Sequence, residues 1–142
     1  MINLGQYAAY FKELAQKIGI KNLIFVVKEE HLRSSIKNLT GKTLAVVYPS
    51  FRKIGSEDNH LWINEGMFLL LDNGNEKAMT QQKEEQLFTE IGDLCSIVIN
   101  NLINDHSTHV GVMAELDISS IQAEPEWMIC NTWCGYSVTY TF

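Results

Sequence analysis

Eleven lysines and arginines stand against seventeen aspartates and glutamates in these 142 residues, a formal net charge of −6. With no basic block able to neutralise several phosphates in a row, direct nucleic-acid binding is not expected. Apolar runs stop at five residues, far short of the roughly 20 that cross a bilayer as a helix, so no membrane span is expected. The opening Met1-Ile2-Asn3-Leu4-Gly5-Gln6 lacks the basic region and apolar stretch of a signal peptide, and the expected compartment is the cytoplasm. Cysteine is scarce and odd in number: Cys95, Cys130 and Cys134 do not make the framework of a small secreted domain, so free thiols are expected. Asn38-Leu39-Thr40 fits a glycosylation acceptor, but without an export signal the match reads as chance. No linker, repeat or low-complexity segment divides the chain, and its 46% hydrophobic residues suffice for one core. One domain is expected, over residues 1–142.

What is present is a sequence of alternating periodicities. Apolar residues at Leu4, Tyr7, Ala8, Phe11, Leu14, Ala15 and Ile18 repeat on one helical face, with Asn3 placed to cap the start and Gly19 to end it. Residues 23–27 are apolar and β-branched, a buried strand. Leu32, Ile36 and Leu39 predict a short helix covering one thin edge. Residues 43–48, stopped by Pro49, and residues 61–71, stopped by Asp72-Asn73-Gly74-Asn75, predict a pair of strands joined by a long protruding loop over residues 50–60. From Thr80 the stripe Leu87, Ile91, Leu94, Val98 and Leu102 predicts the longest helix, lying across the sheet, with Gly92 set where it nears a strand. Two strands close the order, residues 116–123 and 127–142, separated by Glu124-Pro125-Glu126. The expected class is α+β, a mostly antiparallel sheet of about five strands packed against an N-terminal helix and one long central helix.

In the last segment Met128, Cys130, Thr132, Cys134, Tyr136, Val138, Tyr140 and Phe142 share a face, while Gly135, Ser137, Thr139 and Thr141 make the other polar. Trp127, Ile129 and Trp133 fall on the face that becomes polar, unless a bulge near Gly135 shifts the phase. A straight strand needs those tryptophans covered by a loop or by another chain.

Each apparent chemical motif fails on a position or a distance. Gly41-Lys42-Thr43 ends like a phosphate-binding loop, but Ile36 stands where the motif needs glycine, and a strand follows instead of a helix. His106, His109, Cys130 and Cys134 are the residue types zinc favours, yet cysteines four apart on an extended strand are roughly 13 Å from each other, too far for one ion or a disulfide unless the chain turns. Nothing places His31, His60, His106 or His109 beside a cysteine as a base. Glu84, Glu85, Glu90 and Asp93 read as a solvated helix face, and Glu115 with Asp117 as a strand edge without an apolar pocket. No catalytic residue, metal ligand or cofactor is assigned, and no small-molecule substrate is evident. The candidate interface residues are Trp127, Ile129 and Trp133 on the last strand and Phe51, Arg52 and Lys53 in the long loop.

Glu124-Pro125-Glu126-Trp127, then Gly135-Tyr136-Ser137-Val138-Thr139-Tyr140-Thr141-Phe142, together with the element order, resembles the close of small phage and prophage tail terminator, tail-completion and head–tail connector proteins. The resemblance implies a sheet flanked by helices and self-association, in a ring that joins or caps parts of a virion beside other virion proteins, with no chemistry performed. The short helix around residues 32–39 departs from that pattern. Two rival readings stand beside it: a small acidic secretion-chaperone-like binding module, against which the terminal strand counts, and an enzyme whose site is assembled from residues distant in sequence.

Overall fold

The first helix, α1 (Leu4–Ile18), forms because its apolar residues recur every three or four positions and both ends are closed. Asn3 Oδ1 accepts from the backbone N–H groups of Gly5 at 2.9 Å and Gln6 at 3.1 Å, and Gly19, at φ 78°, turns the chain so that the Ile20 N–H reaches the Ala15 carbonyl. The computed structural model describes residues 2–74 and 79–142, so Asn75 of the expected turn lies outside the described residues. After α1 come β1 (Asn22–Val26), α2 (Glu29–Ile36), β2 (Thr43–Gly55), β3 (His60–Asn73), α3 (Gln81–Ser107), β4 (Asp117–Ile129) and β5 (Trp133–Thr141).

The five strands make one sheet in the order β1-β2-β3-β5-β4. Only the β1–β2 pair is parallel, because α2 carries the chain back between them; the other pairs are antiparallel. The fold is therefore α+β, with the N-terminal and long central helices expected from periodicity. Both lie on one face of the sheet, where Tyr7, Phe11, Ile91, Val98 and Leu102 meet Leu44, Val46, Phe68, Leu70, Val138 and Tyr140. A second core lies on the opposite face, where Leu32 and Ile36 of α2 join Val26, Ala45, Leu69, Leu71 and Trp133.

Several expectations are corrected. Neither proline ends its strand: β2 continues through Pro49 to Gly55 and β4 through Pro125 to Ile129. Pro49 sits in a register shift between Val47 and Ser50, and Pro125 on an edge strand, the places where a missing N–H costs least. The loop expected over residues 50–60 is thus mostly strand, with a short turn at residues 56–59. The long closing strand is two strands, because the chain reverses at residues 130–132, with Cys130 and Asn131 at φ 47° and 80°. The phase change expected near Gly135 is present, carried by the facing strand: between Glu126 and Ile129, β4 holds one more residue than β5 holds between Gly135 and Trp133. The polar face of β5 is also drier than expected, since Ser137 is buried and its hydroxyl donates to Glu126 at 2.7 Å.

Gly92 faces Tyr136, but a Cβ there would meet the ring at an ordinary 3.5 Å. The tight approach is at Gly135, where a Cβ would lie 1.9 Å from the Leu70 carbonyl oxygen. Gly135→Ala must push β5 away from β3 and is expected to cost about 3 kcal/mol in chemical denaturation; a loss under about 1 kcal/mol would show that the sheet relaxes there.

Inside the main core the hydroxyls of Tyr7 and Tyr140 bond each other at 2.6 Å, and Tyr10 donates to Asp105 at 2.6 Å. Burial raises the pKa of both members of the Tyr7–Tyr140 pair above the ordinary 10.0. The unfolded chain ionises them near pH 10 while the folded chain keeps them protonated, so stability is held below pH 10 and falls above it. Tyr7→Phe leaves the Tyr140 hydroxyl buried without its partner and should cost about 1–2 kcal/mol. The double change Tyr7→Phe/Tyr140→Phe should cost less than the sum of the singles and flatten the alkaline decline, both read from unfolding curves across pH.

Candidate functional site

The sheet is not uniformly wide. β1 pairs with β2 only as far as Val47, and β5 meets β3 only from Glu65 inward, with reciprocal backbone bonds of 2.9 Å between Asn64 and Phe142 closing that end. Beyond this line β2 and β3 pair only with each other, from Ser50–Glu65 out to Gly55–His60. At about 3.3 Å per residue the two strands form an arm on the order of 17 Å long. Its turn is tied by Ser56 N–H to the Asn59 carbonyl at 2.9 Å and by Asn59 N–H to Ser56 Oγ at 3.3 Å.

Register places Phe51, Lys53, Trp62 and Asn64 on one face of the arm and Arg52, Ile54, Leu61 and Ile63 on the other. Phe51 and Trp62 meet edge to face at 5.6 Å, yet Phe51 is 51%, Ile54 38%, Leu61 62% and Trp62 43% exposed. Arg52 Nε lies 2.9 Å from Glu65 Oε1 with both side chains about half exposed, a pair that adds little in water. A two-stranded ribbon is marginal on its own, and burying the part of each of these apolar side chains that is still exposed would release on the order of 1 kcal/mol. The arm therefore displays more apolar surface than its own fold uses.

The six candidate interface residues do not converge. Phe51, Arg52 and Lys53 lie on the arm; Trp127, half exposed, is on β4 at the sheet's far edge. Trp133 is buried by its own chain in the second core, with Ile129 and Cys130 packed beside it. Sequence reasoning placed residues 61–63 in an ordinary strand and so missed Leu61 and Trp62 as surface residues; the matching run of polar residues on β2 was the available signal. It also missed a groove of about 360 Å³ between α2 and the β4–β5 turn, where Leu32, Val47, Met67 and Ile129 line an apolar trough with Lys28 and Glu126 also on its wall.

The two buried thiols are held in their protonated state. Burial pushes the Cys95 thiol up to about 11 and raises that of Cys134, whose sulfur accepts the Met128 N–H at 3.4 Å, the wrong direction for a thiolate nucleophile. Although the chain does turn between Cys130 and Cys134, they form no disulfide. His106 Nδ1 donates to the Ala114 carbonyl at 3.0 Å. Glu90 lies below the usual carboxylate range because Gln86 donates to it and Lys42 stands 3.4 Å away, which leaves Lys42 of the phosphate-loop-like tripeptide facing a carboxylate. Among the described residues no three His, Cys, Asp or Glu side chains gather as metal ligands, and no helix is long and apolar enough to cross a membrane. Compared with known proteins, the chain matches no family model, no curated protein sequence and no solved structure.

Phe51→Ser/Trp62→Ser should change global unfolding free energy by less than about 1 kcal/mol, because neither residue belongs to a core, while amide exchange across residues 50–64 accelerates. A loss of several kcal/mol would make the arm part of the folding unit instead of a displayed surface.

Proposed function

We propose that the protein is a non-enzymatic assembly subunit working through protein–protein contacts, of the kind the resemblance implies: a phage or prophage tail terminator or head–tail connector-like component. The observation that carries this reading is the β2–β3 arm, whose exposed Phe51, Ile54, Leu61 and Trp62 have no covering partner among the described residues. Apolar and aromatic side chains at the centre of a polar, protruding element are the residues that anchor interfaces. The buried, protonated thiols favour contact over covalent catalysis. A second reading, a small acidic binding module resembling secretion chaperones, is favoured by the groove beside Leu32 and Ile129, which has the size and apolar lining to hold part of a partner chain.

Deleting the gene from a strain that carries it, inducing particle production and supplying the chain in trans tests the first reading. The expected result is unjoined or unfinished particles in the deletion, restoration by the wild-type chain, and no restoration by folded Phe51→Ser/Trp62→Ser. Normal particles in the deletion, or full restoration by the arm variant, would overturn it. Restoration by the arm variant combined with failure of Met67→Arg in the groove would favour the second reading.

A further inference from the structure

The two faces of the sheet are covered unequally. Helices of 15 and 27 residues, α1 and α3, lie on the main-core face, whereas the opposite face carries α2, eight residues long. At 1.5 Å per residue α2 spans about 12 Å. Its Leu32 and Ile36 join Val26 and Ala45 of β1 and β2 in the second core, so α2 lies toward the β1 edge. β3 and β5 are the next two strands. Two strand spacings make about 10 Å, the distance at which helices pack side by side. The strip left open beside α2 is therefore one helix wide.

That strip is hollow and largely apolar along its floor. Alternation along β3 puts Leu61, Ile63, Glu65, Met67 and Leu69 on this face. The groove of about 360 Å³ beside Leu32 and Ile129 is lined by Met67 and Leu69. A hollow of about 420 Å³ shares Val47 and Met67 with it and runs on to Ser50 and Glu65 at the root of the arm. The far wall is β4, whose pairing with Gly135, Ser137 and Thr139 puts Glu126, Glu124 and Gln122 on the same face. Among the described residues no cation pairs with the acids of that wall: Glu126 accepts from Ser137 and Glu124 from Gln122. Lys28 on the near wall is held by Glu30 at 2.9 Å, and Glu65 is paired with Arg52. The strip presents an apolar floor beside one wall of unpaired negative charge.

We infer that this strip receives an amphipathic helix of a partner protein, with apolar side chains at every third or fourth position seated on Val47, Met67 and Ile129, and with lysine or arginine on the flank that faces Glu124 and Glu126. A helix satisfies its own backbone and so suits a floor made of side chains. An added strand needs a free sheet edge, and β3 and β5 are bonded on both sides. Burial of the apolar anchors supplies the affinity of such a contact, and the charged flank fixes its orientation. The inference rests on the reading of the groove as a place for part of a partner chain and names the chemistry of that part.

Fluorescence anisotropy on the intact chain tests it with a labelled synthetic peptide of about 14 residues, with leucines at helical spacing and lysines along one flank. The expected Kd is about 100 µM or tighter at low salt. Versions with glutamate for lysine, with the leucines scrambled, or with a central proline should each bind at least about tenfold more weakly. Glu124→Gln/Glu126→Gln should weaken the lysine peptide by about fivefold or more, and Met67→Arg should abolish its binding. Phe51→Ser/Trp62→Ser, on the other face of the arm, should bind it as the wild type does. Urea midpoints show which variants are folded; if Met67→Arg is not, the carboxylate pair decides. No binding, equal binding of the glutamate or scrambled peptide, or binding undiminished in the folded groove variants would overturn the inference. Equal binding of the proline peptide would replace the helix with an extended segment. Self-association of the wild type that Met67→Arg removes would give the strip to a second copy. Failure of Met67→Arg to restore particles, with no peptide bound, would remove the cationic helix and leave the groove reading. Full restoration by Met67→Arg, with the peptide bound as expected, would remove the groove reading and leave the binding property.

Discussion

Burial of β3 on both faces is the constraint around which the rest of the molecule is arranged. Phe68 and Leu70 point to the layer of α1 and α3, Leu69 and Leu71 to α2 and Trp133, and all four are essentially removed from water. At about 1.5–3 kcal/mol for each such side chain, a run of four residues holds both cores to one strand. It also explains the intolerance at Gly135: β5 must approach until its backbone touches the Leu70 carbonyl, or neither core closes. The same strand changes character along its length, since its first residues lie in the arm with water on both faces. Core and candidate interaction surface are two ends of one strand, and pull on the arm is transmitted directly into the strand that both cores grip.

Much of this was legible in the residues. The helical periodicity of α1 and α3 and the caps at Asn3 and Gly19 each have a single local reading, and tertiary structure agrees with it. The apolar run of residues 23–27 does form a strand, Asn22–Val26, but at the sheet edge, where of its residues Val26 alone is fully buried and Val27 beyond it is 63% exposed, rather than the buried strand expected. The errors have two physical sources. Proline was taken as a stop, but a proline at a bulge or on an edge loses little, and whether Pro49 and Pro125 occupy such places depends on strands far away in sequence. The reversal at residues 130–132 was hidden because it uses no glycine or proline; Asn131, a residue type that tolerates the left-handed region, was the one local hint. Trp127 and Trp133 were consequently placed on one strand when they lie across a hairpin.

The candidate site was less legible because exposure is a property of what lies beside a residue. Leu61 and Trp62 have the composition of strand residues, and only the shortness of β1 and β5 leaves them in water. The groove beside α2 depended on which face of the sheet the β1–α2–β2 crossover occupies, which periodicity cannot supply.

An exposed ribbon with open edges is a hazard for a protein that has nothing to put against it. Here the hazard is restrained by the residues interleaved with the apolar ones: Pro49 at the base, Arg52 and Lys53 along β2, Glu57 and Asp58 at the turn. Charges and a proline of this kind hinder indiscriminate strand pairing, while leaving the side chains of Phe51, Ile54, Leu61 and Trp62 open to a partner shaped to receive them. Their combination on one arm joins exposed apolar side chains that could anchor a contact to charges that disfavour open-ended strand addition.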